Sequence, residues 1–364
     1  MQPSSAHTHF WQWFRDHSDR LAAAVYGGDK AAREQAVDEL SKASNQAEPG
    51  IVLEIGAAEA DGRRPLIVSA DGRPEHVDAV KDFAAAAPAL PGWHVVPFRT
   101  RLPVGDSIEI ALEDQRVGPA DIWFRVREGD DGLDLTLCVR GLTESNERLR
   151  GLGASLLAEH AVGERDALTM IRSLSVRPLP EDPAAAGLRP FGELVTVFDA
   201  ARAKKYPPPG TLPLSGDDWM NLRGTIEGAF ASVLFDAGLR PVAGHPDYDR
   251  RLTVSILVNE SRQDGLPSTE EEYVAVCDLG DRLSEALTEK QQSLLALTIM
   301  TQGRRDLVFY TSNAGAALMR LEELRTGIRA HRIKAAVERD TYWGMYRSFL
   351  RATQGDGGEG EGEE

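Results

Sequence analysis

The chain has 364 residues, of which 42% are hydrophobic, and it carries a formal net charge of −16 from 57 acidic and 41 basic side chains. This length exceeds the roughly 250 to 300 residues that one hydrophobic core supports, so two domains are expected. The negative charge disfavours direct binding to nucleic acid, whose phosphates are neutralised by clustered Lys and Arg. The sequence shows neither an apolar run of about 18 residues nor a secretion signal, so we expect a cytoplasmic protein without a membrane span.

The first 205 residues alternate helical and strand-like patterns and predict an N-terminal α+β domain. Two helices are expected over residues 8–47, and a third over the stretch EHVDAVKDFAAAAPAL. A later helical pattern contains Gly151 and Gly153, which we interpret as a flexible joint. The strand patterns are IVLEIGA, RPLIVSA, WHVVPF, DSIEIAL, ADIWFRV, GLDLTLCV and LTMIRSLSV.

A Pro-rich stretch separates this region from the rest of the chain. Tyr206 is followed by three prolines, which favour an extended spacer over a helix or a central strand. We therefore predict a linker over residues 206–216. The alternative is a long surface loop within a single domain.

Residues 217–352 predict a second domain, and residues 353–364 a disordered acidic tail of Gly and Glu. The predicted order of elements is β-β-α-β-β-α-β. With one strand added at its start, this order is compatible with a ferredoxin-like fold, an antiparallel sheet with helices on one face. The predicted fold class of the chain is thus α+β.

An acidic helix over residues 268–289 is the clearest element of this domain. Ser268 or Thr269 can cap its first turn, and Glu270, Glu271 and Glu272 suit the positive end of the helix dipole. An apolar stripe at helical spacing predicts the buried face: Val276, Leu279, Leu283 and Leu287. Acidic residues are predicted on the outer face: Asp278, Asp281, Glu285 and Glu289.

Two turns flank this helix and carry charged residues. Asp264-Gly265 forms a turn before the helix, and Thr301-Gln302-Gly303 joins the strands SLLALTIM and RRDLVFYT after it. Arg304 and Arg305 follow this second turn. They would either recognise an anionic group at the hairpin tip or lie there as solvated charges.

The sequence lacks the catalytic motifs that a known enzyme class would require. It has no P-loop, no dinucleotide-binding glycine pattern, no zinc-protease motif and no nucleophile elbow, so we predict no catalytic residues and no cofactor. His7, His9 and His17 have no Cys or carboxylate at ligand spacing, and no metal site is predicted. Cys138 and Cys277 are expected to be buried reduced thiols.

Glu54 lies in a predicted strand, between Leu53 and Ile55. If the strand face that carries it is covered, its pKa would rise and it could act in acid-base chemistry. If that face is open to water, Glu54 is an ordinary surface residue.

The C-terminal third resembles a known family. DGLP followed by glutamates, TIMTQGRRDLVFY, and the spacing of Asp340, Trp343 and Tyr346 resemble the bacterial family of unknown function numbered 695. That family is similar to the RNase E inhibitor B family, whose members are acidic ferredoxin-like proteins that act by binding another protein. The resemblance covers roughly residues 217–352. Gly280 departs from the acidic helix pattern that we would expect there.

The N-terminal part resembles an uncharacterised companion domain of this family. The residues that carry this resemblance are FWQWF, IVSADG and the stretch from Ala87 to Trp93. The resemblance implies a fold and a mode of action by analogy, and no chemistry.

We therefore expect a non-catalytic regulator or inhibitor that binds a basic protein through an acidic surface. Candidate partner-binding residues are Asp264, Glu270, Glu271, Asp281, Glu285, Arg304 and Arg305. Trp343 and Tyr346 are either interface anchors or packed against the sheet. Two alternatives stay open: a hydrolase with a carboxylate site between the domains, using residues such as Glu54 or Asp264, and a toxin-immunity protein.

Overall fold

The computed structural model describes residues 5–103, 108–129, 132–214 and 218–355, and these residues form a mixed arrangement of helices and strands. The α+β class is therefore confirmed. The helices are α1 (Ser5–Tyr26), α2 (Lys30–Ala47), α3 (Val77–Ala85), α4 (Glu147–Val162), α5 (Glu164–Met170), α6 (Leu194–Lys205), α7 (Glu270–Thr288), α8 (Ala314–Arg325) and α9 (Gly344–Gly355).

The strands of the first half of the chain are short. They are β1 (Val52–Ile55), β2 (Arg64–Ser69), β3 (Trp93–Pro97), β4 (Ile110–Leu112), β5 (Gln115–Val117), β6 (Ile122–Gly129), β7 (Gly132–Val139), β8 (Ile171–Pro178) and β9 (Arg189–Pro190). Longer strands follow: β10 (Trp219–Ile226), β11 (Ala229–Asp236), β12 (Arg250–Leu257), β13 (Ser293–Thr301), β14 (Arg304–Thr311) and β15 (Ile333–Arg339).

The chain divides into two compact units. The first consists of residues 1–127 and 133–200, and the second of residues 128–132 and 201–364. The predicted domain boundaries stay a prediction. Within the predicted linker, Tyr206 and Leu212 are 6% and 5% exposed, and Leu212 belongs to an apolar core of the second unit.

The first unit contains small sheets with an aromatic core. β1, β2 and β3 form one sheet in that order, with β1 antiparallel and β3 parallel to β2, while β8, β7, β6 and β9 form another. Phe10, Trp11 and Phe14 of α1 pack with Phe83 of α3 or Trp93 of β3. The indole N–H of Trp11 donates to the Phe83 carbonyl oxygen at 3.1 Å, so the buried ring has no unpaired donor.

The glycine pair of α4 is not a joint, because the helix continues through Gly151 and Gly153 without interruption. A Cβ atom at Gly153 would lie 3.3 Å from Val117 Cγ2 of β5. The missing side chain thus permits close packing between helix and strand, and the predicted flexible joint is wrong.

The second unit is built on one six-stranded antiparallel sheet in the order β10-β11-β13-β14-β12-β15. Along the chain, β12 is followed by α7, the hairpin β13–β14, α8 and β15. The hairpin turns at Gln302 and Gly303, whose φ angles of 46° and 70° are typical of a tight two-residue turn. The predicted helix and hairpin are confirmed.

Both faces of this sheet are covered by helix. Leu307 and Phe309 of β14 point to one face, where they pack with buried residues of α7 and α8. Val308 and Tyr310 point to the other, where they pack with Trp343 and with Tyr346 of α9. The expectation of helices on one face is therefore wrong, because alternate residues of the same strand are apolar on both sides.

Two further features of the structure differ from the sequence predictions. Strand β10 was not predicted, because most of its residues are exposed at a sheet edge and lack an apolar alternation. Helix α9 continues to Gly355, so the first residues of the predicted tail are helical, while residues 356–364 lie outside the described part. Within the described residues, no helix is both long and apolar enough to cross a bilayer.

Candidate functional site

Helix α7 carries the candidate surface on the side away from the sheet. The Thr269 hydroxyl accepts a hydrogen bond from the Glu272 N–H at 3.2 Å and caps the helix, as predicted. The predicted apolar stripe is confirmed, since its members are at most 4% exposed: Val276, Leu279, Leu283 and Leu287. Its burial against the sheet turns the acidic residues of the helix toward solvent.

We define the acidic face of α7 as Glu270, Glu271, Asp278, Asp281 and Glu285, which are all exposed or partly exposed. Asp281 lies 3.7 Å from a guanidinium nitrogen of Arg305. Within the described part of the chain, the other four carboxylates have no ion-pair or hydrogen-bond partner. Their negative charge is therefore not neutralised by the protein and creates an electric field in the surrounding solvent.

Two apolar side chains lie among these carboxylates. Tyr273 and Val274 in the first turns of α7 are 49% and 47% exposed. Single exposed apolar residues are common on protein surfaces. Tyrosine is also one of the residues that are enriched at protein interfaces.

Asp264 lies in the turn before α7, and its own turn engages the carboxylate. The carboxylate accepts a hydrogen bond from the Leu266 N–H at 3.1 Å and forms an ion pair with Arg262 at 2.9 Å. These donors, the Leu266 N–H first, lower the pKa of Asp264. These contacts stabilise the turn that leads into the helix.

The two predicted arginines of the hairpin have different environments. Arg304 is partly exposed and forms an ion pair with Asp306 at 2.9 Å. Arg305 is only 8% exposed and contacts Sγ of Cys277 on α7. Both interpretations of Arg305, as a solvated or as an anion-binding tip residue, are therefore wrong, because strand alternation places it beneath α7 on the same side as Leu307.

Gly280 provides the space for this buried guanidinium. A Cβ atom at Gly280 would lie 3.0 Å from Nε of Arg305, closer than side chains normally approach. The glycine that departs from the expected helix pattern thus has a packing reason. Cys277 is partly exposed, whereas Cys138 is buried, and both are free thiols.

A groove of about 700 Å³ borders the acidic face. From α7 it is lined by Asp278, Asp281 and the exposed Arg282, and from the loop after α8 by Arg329 and His331. The His331 side chain is nearly buried and lies 3.3 Å from a carboxylate oxygen of Glu272. The groove therefore presents charges of both signs.

The residues Asp340, Trp343 and Tyr346 hold helix α9 on the sheet. The Tyr310 hydroxyl donates to the Asp340 carboxylate at 2.7 Å, and the Gly344 N–H donates to the same carboxylate at 2.6 Å. Trp343 stacks on Tyr310 with ring centres 3.9 Å apart. Trp343 and Tyr346 are fully buried, so the interpretation as interface anchors is wrong and packing explains both.

These geometric features fall within one region that matches a known family. Residues 217–351 match the model of the Family of unknown function (DUF695). The DUF695 region covers somewhat more than a third of the chain and contains the whole six-stranded sheet. No curated protein and no solved structure matches the chain.

Outside the DUF695 region, four carboxylates of the first unit converge on Arg99. The guanidinium contacts Glu54 at 2.6 Å, Asp71 at 3.3 Å and Glu159 at 3.3 Å. Glu164 is fully buried, and its carboxylate accepts a hydrogen bond from the backbone N–H of Arg99 at 2.8 Å. Sequence reasoning identified only Glu54, because the partners are distant in the chain.

Both oxygens of the Glu164 carboxylate accept hydrogen bonds from the protein. One oxygen accepts the Ser69 hydroxyl at 2.8 Å, the Ala70 N–H at 2.8 Å and the Asp71 N–H at 3.1 Å, while the other accepts from Arg99. Such a group joins strand β2, the segment after β3 and helix α5. Its oxygens are occupied, which suits a structural role better than proton transfer.

Burial and the neighbouring Glu164 raise the pKa of Glu159, while Arg99 opposes this shift. Glu54 is 38% exposed at its side chain and paired with Arg99, so its environment lies between the two predicted alternatives. Four carboxylates against one guanidinium leave an excess of negative charge at this cluster.

The side chains of His7, His9 and His17 do not form a cluster. His7 is buried and contacts Glu48 at 2.8 Å, while His17 bonds to the Trp13 carbonyl oxygen at 2.8 Å and stacks on the Trp13 ring. His9 is exposed on the same helix, α1. Among the described residues, no group of three or more His, Cys, Asp or Glu could hold a metal ion.

Proposed function

We propose that the protein is a non-catalytic regulator or inhibitor that binds a basic protein through the acidic face of α7. The observation that carries the proposal is the set of four carboxylates on this face that have no partner within the described residues. Unpaired surface charge of one sign speeds encounter with a partner of opposite charge and makes the rate dependent on salt.

The apolar residues on the acidic face supply the buried contact area that charge alone does not provide. Burial of Tyr273 and Val274 would add contact area and residence time, since affinity depends mainly on a few buried anchors. Asp264 and Arg304 stay candidate residues at the edges of this surface. Arg305 acts indirectly, by packing beneath α7.

We further propose that β12 to β15 with α7 and α8 form a ferredoxin-like unit extended by β10 and β11. Support comes from the order strand, helix, strand, strand, helix, strand, and from the sheet order β13-β14-β12-β15. This topology strengthens the resemblance to the RNase E inhibitor B family, whose members act by binding another protein. A shared fold supports a shared function by analogy alone.

Two partner classes fit an acidic binding face. One is a ribonuclease, which needs a basic surface to bind its own substrate. The other is a basic toxin, for which the protein would serve as an immunity factor. Both require a basic partner surface that the acidic face can cover.

The hydrolase alternative rests on the carboxylates around Arg99, where Glu159 has a raised pKa. A hydrolase needs a carboxylate that is free to exchange protons with a substrate. Glu54, Glu159 and Glu164 instead all accept hydrogen bonds from the protein itself, the first two from the Arg99 guanidinium. The binding function is therefore the better supported of the two.

Affinity capture from the native lysate at low and high salt tests the proposal. The full chain should retain one stoichiometric basic partner at low salt and release most of it at high salt. The variant Glu271→Lys/Glu285→Lys should lose the partner. The matched control, Glu34→Lys/Asp38→Lys on α2, changes the charge equally and should retain it.

Thermal unfolding of both variants shows that loss of binding is not loss of fold. Capture of no stoichiometric partner by the folded wild-type chain at either salt concentration would count against the proposal. Equal capture by the Glu271→Lys/Glu285→Lys variant would also contradict it.

A further inference from the structure

A second groove has a mainly basic lining and shares Arg329 and His331 with the groove that borders the acidic face. It measures about 560 Å³ and lies between the last turn of α8 and the first residues of β15. Arg325, Arg329, Arg332 and Lys334 line it, and Glu322 is the one carboxylate in its lining among the described residues. We call these four cations and their concavity the basic groove.

The protein neutralises only part of the charge of the basic groove. Arg325 pairs with Glu322 at 2.9 Å. Within the described residues, Arg329, Arg332 and Lys334 have no ion-pair partner, and all three are exposed. In a chain of net charge −16, three unpaired cations in one concavity repel one another and attract an anion.

The backbone beside the groove indicates the shape of that anion. Strand β15 is the last strand of the sheet and, among the described strands, pairs only with β12, so one row of its N–H and C=O groups faces outward. An extended peptide can add to such an edge through main-chain hydrogen bonds. Lys334 on this edge disfavours a basic strand and favours an acidic one.

A nucleic acid is the less favourable ligand for the same groove. Its affinity would depend on neutralising many phosphates along a basic surface, and the net negative charge of the chain repels the remainder of the strand. A short peptide engages only the local charge, since the Debye length at physiological salt is about 8 Å.

We infer that the basic groove, together with the open edge of β15, binds an extended acidic peptide segment of another protein. The segment pairs with β15 and places its carboxylates on Arg329, Arg332 and Lys334. None of the residues that line the basic groove belongs to the acidic face, so the second unit presents two surfaces of opposite charge.

Fluorescence anisotropy with the full chain tests this inference. The probe is a labelled peptide of about eight residues that alternates Glu and Thr, compared with its Lys analogue and with an RNA of equal length. We expect the Glu peptide to bind and the Lys peptide and the RNA to bind at least about tenfold more weakly. Tighter binding of the RNA would overturn the peptide assignment.

Variants locate the binding and separate it from the proposed function. Arg329→Glu/Arg332→Glu should weaken binding of the Glu peptide at least about tenfold. The control Arg320→Glu removes an exposed arginine of α8 that does not line the groove, and should change binding by less than about twofold. Glu271→Lys/Glu285→Lys should not weaken peptide binding, even if it abolishes partner capture.

A backbone-modified probe tests the strand geometry. Methylation of all the amide nitrogens of the Glu peptide removes its main-chain donors and leaves its charge unchanged, so binding should fall by at least about tenfold. Unchanged binding of the methylated probe would contradict docking on β15. If Arg320→Glu weakened binding of the Glu peptide as much as Arg329→Glu/Arg332→Glu, this result would contradict binding in the basic groove.

Discussion

Gly280 and Arg305 occupy one site between helix α7 and the sheet: a Cβ atom on the glycine would lie 3.0 Å from Nε of the arginine. The guanidinium therefore depends on a helix residue without a side chain. This pairing explains why an otherwise acidic, well-capped helix contains a glycine in its interior.

Gly280→Ala tests this relationship. Alanine is normally favoured over glycine inside a helix by about 1 kcal/mol. At this site we expect the free energy of unfolding to fall by about 1 kcal/mol or more, because Arg305 must be displaced. In an Arg305→Ala background the same substitution should stabilise the protein. Urea unfolding measures both, and equal stabilisation in the two backgrounds would refute the packing explanation.

Glu159 and Glu164 should respond oppositely to amide substitution. Glu164→Gln replaces one of the two accepting carboxylate oxygens with an NH2 donor that faces N–H or O–H groups, and should lower the free energy of unfolding by about 1–3 kcal/mol. Glu159→Gln should leave it unchanged or raise it by less than about 1 kcal/mol at pH 7.

The expected pH dependence of the Glu159 effect follows from its raised pKa. The folded state favours the protonated acid, so this stabilisation is present below the unfolded pKa of 4.5 and is lost as pH rises through the folded value. The benefit of Glu159→Gln should therefore disappear at pH values below about 4, as denaturant unfolding across this range would show. A benefit that grows on acidification would contradict burial as the cause of the raised pKa.

Three buried tyrosines predict alkaline destabilisation of the second unit. Burial raises the pKa of Tyr248 to about 12, and burial also raises the pKa of Tyr310 and Tyr346 above the ordinary value of 10.0. Their stabilisation is present below pH 10 and is lost as pH rises through the folded pKa values.

Each of these tyrosines should add about −1.4 kcal/mol per pH unit to the slope of stability above about pH 10. Tyr310→Phe should therefore flatten the slope by about that amount between about pH 10 and 11.5, measured by denaturant unfolding. An unchanged slope in the variant would show that Tyr310 is not buried as described.

Substitution of the buried Trp343 should lower the stability of the protein and leave partner binding unchanged. Trp343→Ala removes the ring that stacks on Tyr310 and should cost about 3–5 kcal/mol. The fraction that stays folded should still capture the partner. Loss of capture by a Trp343 variant that thermal unfolding shows to be folded would indicate a direct contact instead.

Local patterns in the sequence predicted helix α7 well. The cap at Thr269, the buried stripe and the exposed carboxylates are all determined within a few helical turns. The leucines of α8 show the limit of such patterns, because Leu318 is 40% exposed, while Ala317 and Leu321 are buried. The small Ala317 carries little hydrophobic signal, so the periodicity of the larger leucines is misleading.

Features that depend on distant partners were not predictable from one sequence. The carboxylates at positions 54, 71, 159 and 164 meet at Arg99 only because the chain folds back on itself. Arg305 looks like a turn residue until its strand register places it under α7. The basic groove likewise combines the end of α8 with an edge strand whose neighbours only the sheet order reveals.

Site-specific photo-crosslinking tests the central claim most directly. A photoreactive phenylalanine analogue would replace Tyr273 on α7 or, as the control, Val37 on α2; these positions are 49% and 51% exposed. In the source cells, the analogue at position 273 should crosslink to one basic protein and the analogue at position 37 should not. Absence of a crosslink from position 273, or equal crosslinking from both positions, would contradict a binding function for the acidic face.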